Sequence, residues 1–91
     1  MRIPKRLLGN ILGKKIRIIK SRDPTLMGKL GVITRETKKM LEITLNNDGR
    51  RILVPKHICV FEIIFDEKTK IIIDGKILVN RFRKLKKLVK R

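Results

Sequence analysis

The stretch Gly28 to Leu45, GKLGVITRETKKMLEITL, leaves the fewest choices for a fold. Within it Leu41, Ile43 and Leu45 alternate with Glu42 and Thr44, the period-2 pattern of a strand with one buried face. The preceding run, Lys29–Thr37, carries the β-branched residues Val32, Ile33, Thr34 and Thr37, and a polar break at Lys38-Lys39 separates the two. Gly28 and Gly31 suggest a bulge or a place where another backbone comes close. The two runs predict a bent hairpin at the centre of a small β-barrel, with lysines and arginines on its outer face and turn.

The rest of the chain supplies partners for that hairpin. Lys15–Ser21 is expected to be the first strand, with Ile16 and Ile18 on one face and Arg17 and Ile19 on the other. Ser21 to Gly28 reads as a loop, because Pro24 biases Asp23 away from helix. Asn46-Asn47-Asp48-Gly49 is a turn of residues that tolerate positive φ, and Arg50–Val54 follows as a strand ended by Pro55. Lys56-His57-Ile58 reads as a single 3₁₀ turn. Val60–Phe65 and Lys70–Asp74 form a second hairpin, with Phe61, Ile63 and Phe65 sharing a face. Asp74-Gly75 marks a further turn.

Helices are expected at both ends. Leu7, Leu8, Ile11 and Leu12 form an apolar helical stripe after Pro4, and Gly13 can stop it. Phe82, Leu85, Leu88 and Val89 recur at helical spacing among Arg81, Arg83, Lys84, Lys86, Lys87, Lys90 and Arg91. The expectation is one mainly β domain over residues 1–91. It comprises a helical segment at 1–13, an antiparallel barrel core of about six short strands at 14–75, and a basic helix at 78–91. Stripe residues Leu8, Ile11 and Leu12 could dock a partner protein or pack on the barrel itself.

Charge narrows the function. Twenty-five Lys and Arg against eight Asp and Glu give +17, and the acids are confined to the middle of the chain. Residues 1–22 carry +8, residues 23–80 only +2, and residues 81–91 carry +7. Two cationic ends on a near-neutral body repel themselves unless a polyanion neutralises them, so nucleic acid is the expected partner. No apolar run approaches the ~20 residues of a membrane span, and no signal peptide is recognisable. The single Cys59 is expected to be a small buried hydrophobe in a reducing, cytoplasmic compartment.

Protein catalysis finds little support. His57 and Cys59 lack an orienting third group, and the carboxylates are scattered rather than clustered as two-metal cleavage requires. Neither a catalytic residue nor a metal ligand is expected in this chain. The basic residues are the candidates instead. Lys14, Lys15, Arg17, Lys20 and Arg22 line the first strand, and Lys29, Arg35, Lys38, Lys39 and Lys56 could extend that surface. Arg81, Arg83 and Lys84 add to it from the tail. The chain has no Trp or Tyr and three Phe, all placed to be buried, so stacking platforms for single strands are scarce. Recognition of the backbone and shape of a folded RNA is the expectation.

The segments Leu7-Leu8-Gly9-Asn10, Ser21-x-Asp23-Pro24-x-Leu26-x-Gly28-x-x-Gly31, Glu36-Thr37-Lys38-x-Met40-Leu41 and Val54-Pro55-Lys56 resemble the archaeal ribonuclease P protein component 1 family. The resemblance covers about residues 7–82. It implies an Sm-like barrel within the ribonucleoprotein that removes 5′ leaders from precursor tRNA. It further implies that the RNA subunit, with its magnesium ions, is the catalyst. This chain would neutralise charge and bind no cofactor, meeting precursor tRNA only indirectly. A small zinc-binding protein subunit is implied as partner, contacted through Leu8, Ile11, Leu12, Phe82 and Leu85. A ribosomal or other KOW-type or Sm-like RNA-binding protein is the alternative. Ring assembly and membrane-surface binding by the tail are further readings.

Overall fold

A computed structural model describes residues 10–80. Six strands form one antiparallel sheet: β1 (Lys15–Ser21), β2 (Leu30–Glu36), β3 (Met40–Leu45), β4 (Arg51–Pro55), β5 (Cys59–Ile64) and β6 (Lys70–Asp74). Their spatial order is β4-β3-β2-β1-β5-β6, so β5 crosses back to lie beside β1. Short 3₁₀ turns at Pro24–Leu26 and Lys56–Ile58 interrupt the connections. The mainly β expectation holds.

The closed barrel does not. Strands β4 and β6 are the edges of the ladder, which is therefore an open sheet. Each edge strand has five residues and leads at once into another element. The 3₁₀ turn after β4 and a helix that starts at residue 75, after β6, meet backbone to backbone instead of pairing as strands. Gly75 lies against the Lys56 carbonyl, where a Cβ would overlap it. Asp74 opens that helix by accepting from the Lys76 amide at 2.9 Å, so Asp74-Gly75 is a helix start and not a separate turn.

One face of the sheet carries the core. Ile16, Ile18, Ile33, Leu41, Phe61 and Ile63 are fully buried, although among the described residues no second sheet covers them. Leu78 of the helix after β6 and Ile11 join them in the buried cluster. Full burial of each large aliphatic side chain contributes about 1.5–3 kcal/mol. Gly31 sits where a side chain would collide with the Thr44 carbonyl, which is the close backbone approach its position suggested.

Two irregularities decide which residues face out. In β1 the pairing with β5 shifts between Ile18 and Lys20, leaving Ile19 as an extra residue. Strict alternation would turn Lys20 inward with Ile16 and Ile18; the bulge places it opposite Val60, facing out, and Ser21 inward opposite Cys59. In β2 the register shifts between Ile33 and Arg35. Arg35 then faces out opposite Glu42, and Glu36 turns in opposite Leu41.

Asn10 to Gly13 form a turn and not the end of a helix. The Asn10 side chain accepts from the Leu12 amide at 3.2 Å, and Gly13 adopts a φ of 83°. Residues 1–9 of the expected N-terminal helix and residues 81–91 of the basic tail lie outside the described residues.

Candidate nucleic-acid interface

The outer face of the sheet is built by register. Lys15 of β1 lies opposite Val32 of β2 on one side and Ile64 of β5 on the other. Val32 continues to Thr44 and Arg51, and Ile64 to Lys70. One row therefore crosses all six strands as Lys70, Ile64, Lys15, Val32, Thr44 and Arg51. At about 4.8 Å between strands, its three cations are spaced by roughly 10 and 14 Å. Arg17 and Lys20 stand further along β1 on the same face, and Arg35 joins them from β2 by virtue of its bulge.

Most of the acids of this region make local bonds. Asp23 accepts from the Thr25 hydroxyl at 2.7 Å, and Asp66 accepts from the Lys68 and Thr69 amides at 2.8 Å each. These bonds hold both carboxyls below the usual aspartate range, through the Thr25 side chain for Asp23 and the Lys68 amide for Asp66. Asp48 holds its turn in the same way, and Asp74 caps the helix that follows β6. Glu42 accepts from the Thr34 hydroxyl at 2.9 Å. Glu62, itself partly buried, lies 3.6 Å from the exposed Arg17, a long pair worth about 1 kcal/mol. These bonds fix the carboxylates in place without cancelling their charge, so the positive excess of the face comes from the number of its exposed lysines and arginines.

Among the expected contact residues, Lys15, Arg17, Lys20, Arg22, Lys29, Arg35, Lys38 and Lys39 are exposed. Lys14 is half-buried, with its ammonium 6.0 Å from the centroid of the Phe65 ring. Lys56 is a correction: it is fully buried, and its ammonium donates to Glu36 at 2.7 Å and to the Lys38 carbonyl at 3.1 Å. It cannot reach a phosphate. Ile11 is also corrected, because it is packed in the core and offers no surface to a partner, whereas Leu12 is 50% exposed. Arg81, Arg83, Lys84, Leu8, Phe82 and Leu85 fall outside the described residues.

Arg51 and Lys70 complete the cationic row and were missed in the sequence. Their signal was the same alternation that buries Ile71 and Ile73: Lys70, one position earlier, must face out. Phe65 is only half-buried; it lines an open groove of about 630 Å³ with Lys14, Lys15 and Lys70 and with the acids Asp66 and Glu67.

His57 is exposed and Cys59 buried, so they form no catalytic pair. The Cys59 thiol donates to the Ser21 hydroxyl at 3.3 Å, and burial pushes its pKa up. Among the described residues no three of His, Cys, Asp and Glu gather to hold a metal ion. No described helix is long and apolar enough to cross a membrane.

Residues 5–86 match the family model of ribonuclease P/MRP, subunit p29. The chain belongs to this family. Its p29 relatives include the ribonuclease P protein component 1 of Methanococcus vannielii, 38% identical over 74 residues, covering 78% of this chain and 74% of the relative. The protein of the same name from Sulfurisphaera tokodaii is 39% identical over 75 residues, covering 82% of this chain and 94% of the relative. The solved structure of Mth11, a homologue of human RNase P protein Rpp29, superposes with a TM-score of 0.59 at 35% identity. That match covers 72% of this p29 chain and 83% of Mth11. These relatives favour the p29 family over the ribosomal alternative.

Proposed function

We propose that this chain is the RNA-binding protein subunit of ribonuclease P, which removes 5′ leaders from precursor tRNA. The observation that carries the reading is the outer face of the sheet. Lys15, Arg51 and Lys70 lie in one row there, and Arg17, Lys20 and Arg35 flank it, with Glu62 beside Arg17 and Glu42 bonded to Thr34. Such a surface matches the phosphate backbone of a folded RNA and reads little sequence.

In this reading the RNA, with its magnesium ions, performs cleavage. The protein lowers the repulsion between RNA segments that must pack together. Leu12 adjoins the surface for a small zinc-binding protein subunit, with Leu8, Phe82 and Leu85 contributing from beyond the described residues, and the complex works in the cytoplasm.

The test is cleavage of precursor tRNA by a ribonuclease P RNA at limiting magnesium, with and without this protein and its small protein partner. Added protein should lower the magnesium required for cleavage. An unchanged magnesium requirement, or cleavage by the protein without RNA, would overturn the proposal.

A further inference from the structure

The turn between β2 and β3 is held in an unusual way. Its outer residues bond to each other: the Thr37 amide donates to the Met40 carbonyl at 3.0 Å, and the Met40 amide donates to the Thr37 hydroxyl at 3.1 Å. Its two central carbonyls are both taken by one residue. The Lys56 amide donates to the Lys39 carbonyl at 2.8 Å, and the Lys56 ammonium donates to the Lys38 carbonyl at 3.1 Å. The same ammonium meets Glu36 at 2.7 Å, and the carbonyl of Lys56 is backed by Gly75.

With both central carbonyls drawn inward, the Lys38 and Lys39 side chains are left on the outside, and both are exposed. Two adjacent ammonium groups repel, and a free turn would relax by letting one swing away. Ordering such a pair at the moment of binding also costs side-chain and backbone entropy. A buried cation whose geometry is set by a carboxylate removes part of that cost beforehand.

We propose that Lys56 is a positioning residue for RNA binding: through its amide and its ammonium it presets Lys38 and Lys39 as a two-lysine phosphate clamp. The inference rests on the reading above that this chain binds RNA through phosphates. Lys56 touches no RNA itself.

The experiment measures the dependence of affinity for a ribonuclease P RNA transcript on salt concentration. In the native protein, K38A/K39A should reduce the slope of log affinity against log salt by roughly 1.4–1.8, the share of two phosphates. The variant Lys56→Met with Glu36→Gln, which removes both charges of the pair together, should remove at least half of that share. Adding K38A/K39A to it should then change the slope by clearly less than the same change does in the native protein. A purely structural role would lower the melting temperature and leave the slope and the full K38A/K39A effect intact, which would overturn the inference. Amide relaxation in the free native protein gives a check that needs no variant. Residues 38 and 39 should be as ordered as the strands, and backbone order parameters below about 0.6 there would refute the clamp. If the native protein shows no salt-dependent binding, the reading of function falls and the clamp with it. If it binds with a steep slope that Lys56 does not influence, the clamp alone falls.

Discussion

Ser21 faces Cys59 across the β1–β5 pair, its hydroxyl 3.3 Å from the thiol, while Lys20 one position earlier faces solvent opposite Val60. The extra residue Ile19 produces this arrangement. Deleting Ile19 would close the bulge and leave a regular ladder, with Lys20 still facing out opposite Val60 and Ser21 still inward opposite Cys59. No charge is carried into the apolar cluster, so only the packing of half-buried Ile19 is lost from a total stability of about 5–15 kcal/mol. The deletion variant is expected to keep a cooperative thermal transition, followed by circular dichroism. Loss of that transition would show that the bulge is required for the β1–β5 pairing.

Replacing Lys15, Arg17 and Lys20 together by Ala should separate binding from stability. All three are exposed on one face, so the melting temperature should move by only a few degrees. Affinity for a ribonuclease P RNA should fall, and the salt slope should drop by roughly 2–3, one phosphate for each residue. Retention of the native slope would remove this face from the interface.

Gly75→Ala tests the contact that stands between the two sheet edges. A Cβ there would overlap the Lys56 carbonyl and lie 3.0 Å from the Cys59 carbonyl, both backbone atoms that cannot swing aside. Overpacking of this kind costs about 1–3 kcal/mol or more, and each kcal/mol lowers the melting temperature of a domain this size by about 4–8 °C. Gly13→Ala meets open space and suffers only its φ of 83°, about 1–2 kcal/mol. The melting temperature should fall further for Gly75→Ala than for Gly13→Ala. The reverse order would contradict the backbone contact.

Stability should depend on pH at both extremes. Burial raises the Cys59 pKa in the folded state, so its contribution is complete below the unfolded value of about 8.5. It is lost as pH rises through the higher folded value. The lowered carboxyls of Asp23 and Asp66 contribute above about 3.9 and lose that contribution as pH falls through their folded values. Melting temperature against pH should therefore be flat from about 5 to 8 as far as these groups are concerned, and bend downward on both sides. An aromatic disulfide reagent at pH 8 should leave native Cys59 unmodified and label it on unfolding. Rapid labelling of the native protein would refute its burial.

Strand positions were legible because alternation survives in most of them. Met40–Leu45 and Lys70–Asp74 could be read residue by residue, and Asn46–Gly49 announced its turn. The bulges were not legible. Nothing in Ile18-Ile19-Lys20 or Ile33-Thr34-Arg35 signals an extra residue, since each bulge is settled by what the partner strand places opposite. Lys56 was read as a surface cation for a similar reason: its burial depends on Glu36, 20 residues earlier in the chain. Ile11 fell on an expected docking stripe because a stripe does not say which apolar surface it meets. Closure into a barrel was expected from the bent central hairpin and from the family resemblance, but the ends of β4 and β6 meet at a glycine contact that strand patterning does not register.

Leu53 on β4 and Ile72 on β6 are 62% and 64% exposed, so each outermost strand shows water a bare apolar side chain beside peptide groups that no further strand pairs among the described residues. Open edges of that kind invite two copies to zip together. A net charge of +17 opposes the encounter, over a range of about 10 Å at 0.1 M ionic strength. Electrolyte that loosens the protein from a polyanion also strips away this safeguard, so the solubility of the unbound chain declines under the conditions in which it is released.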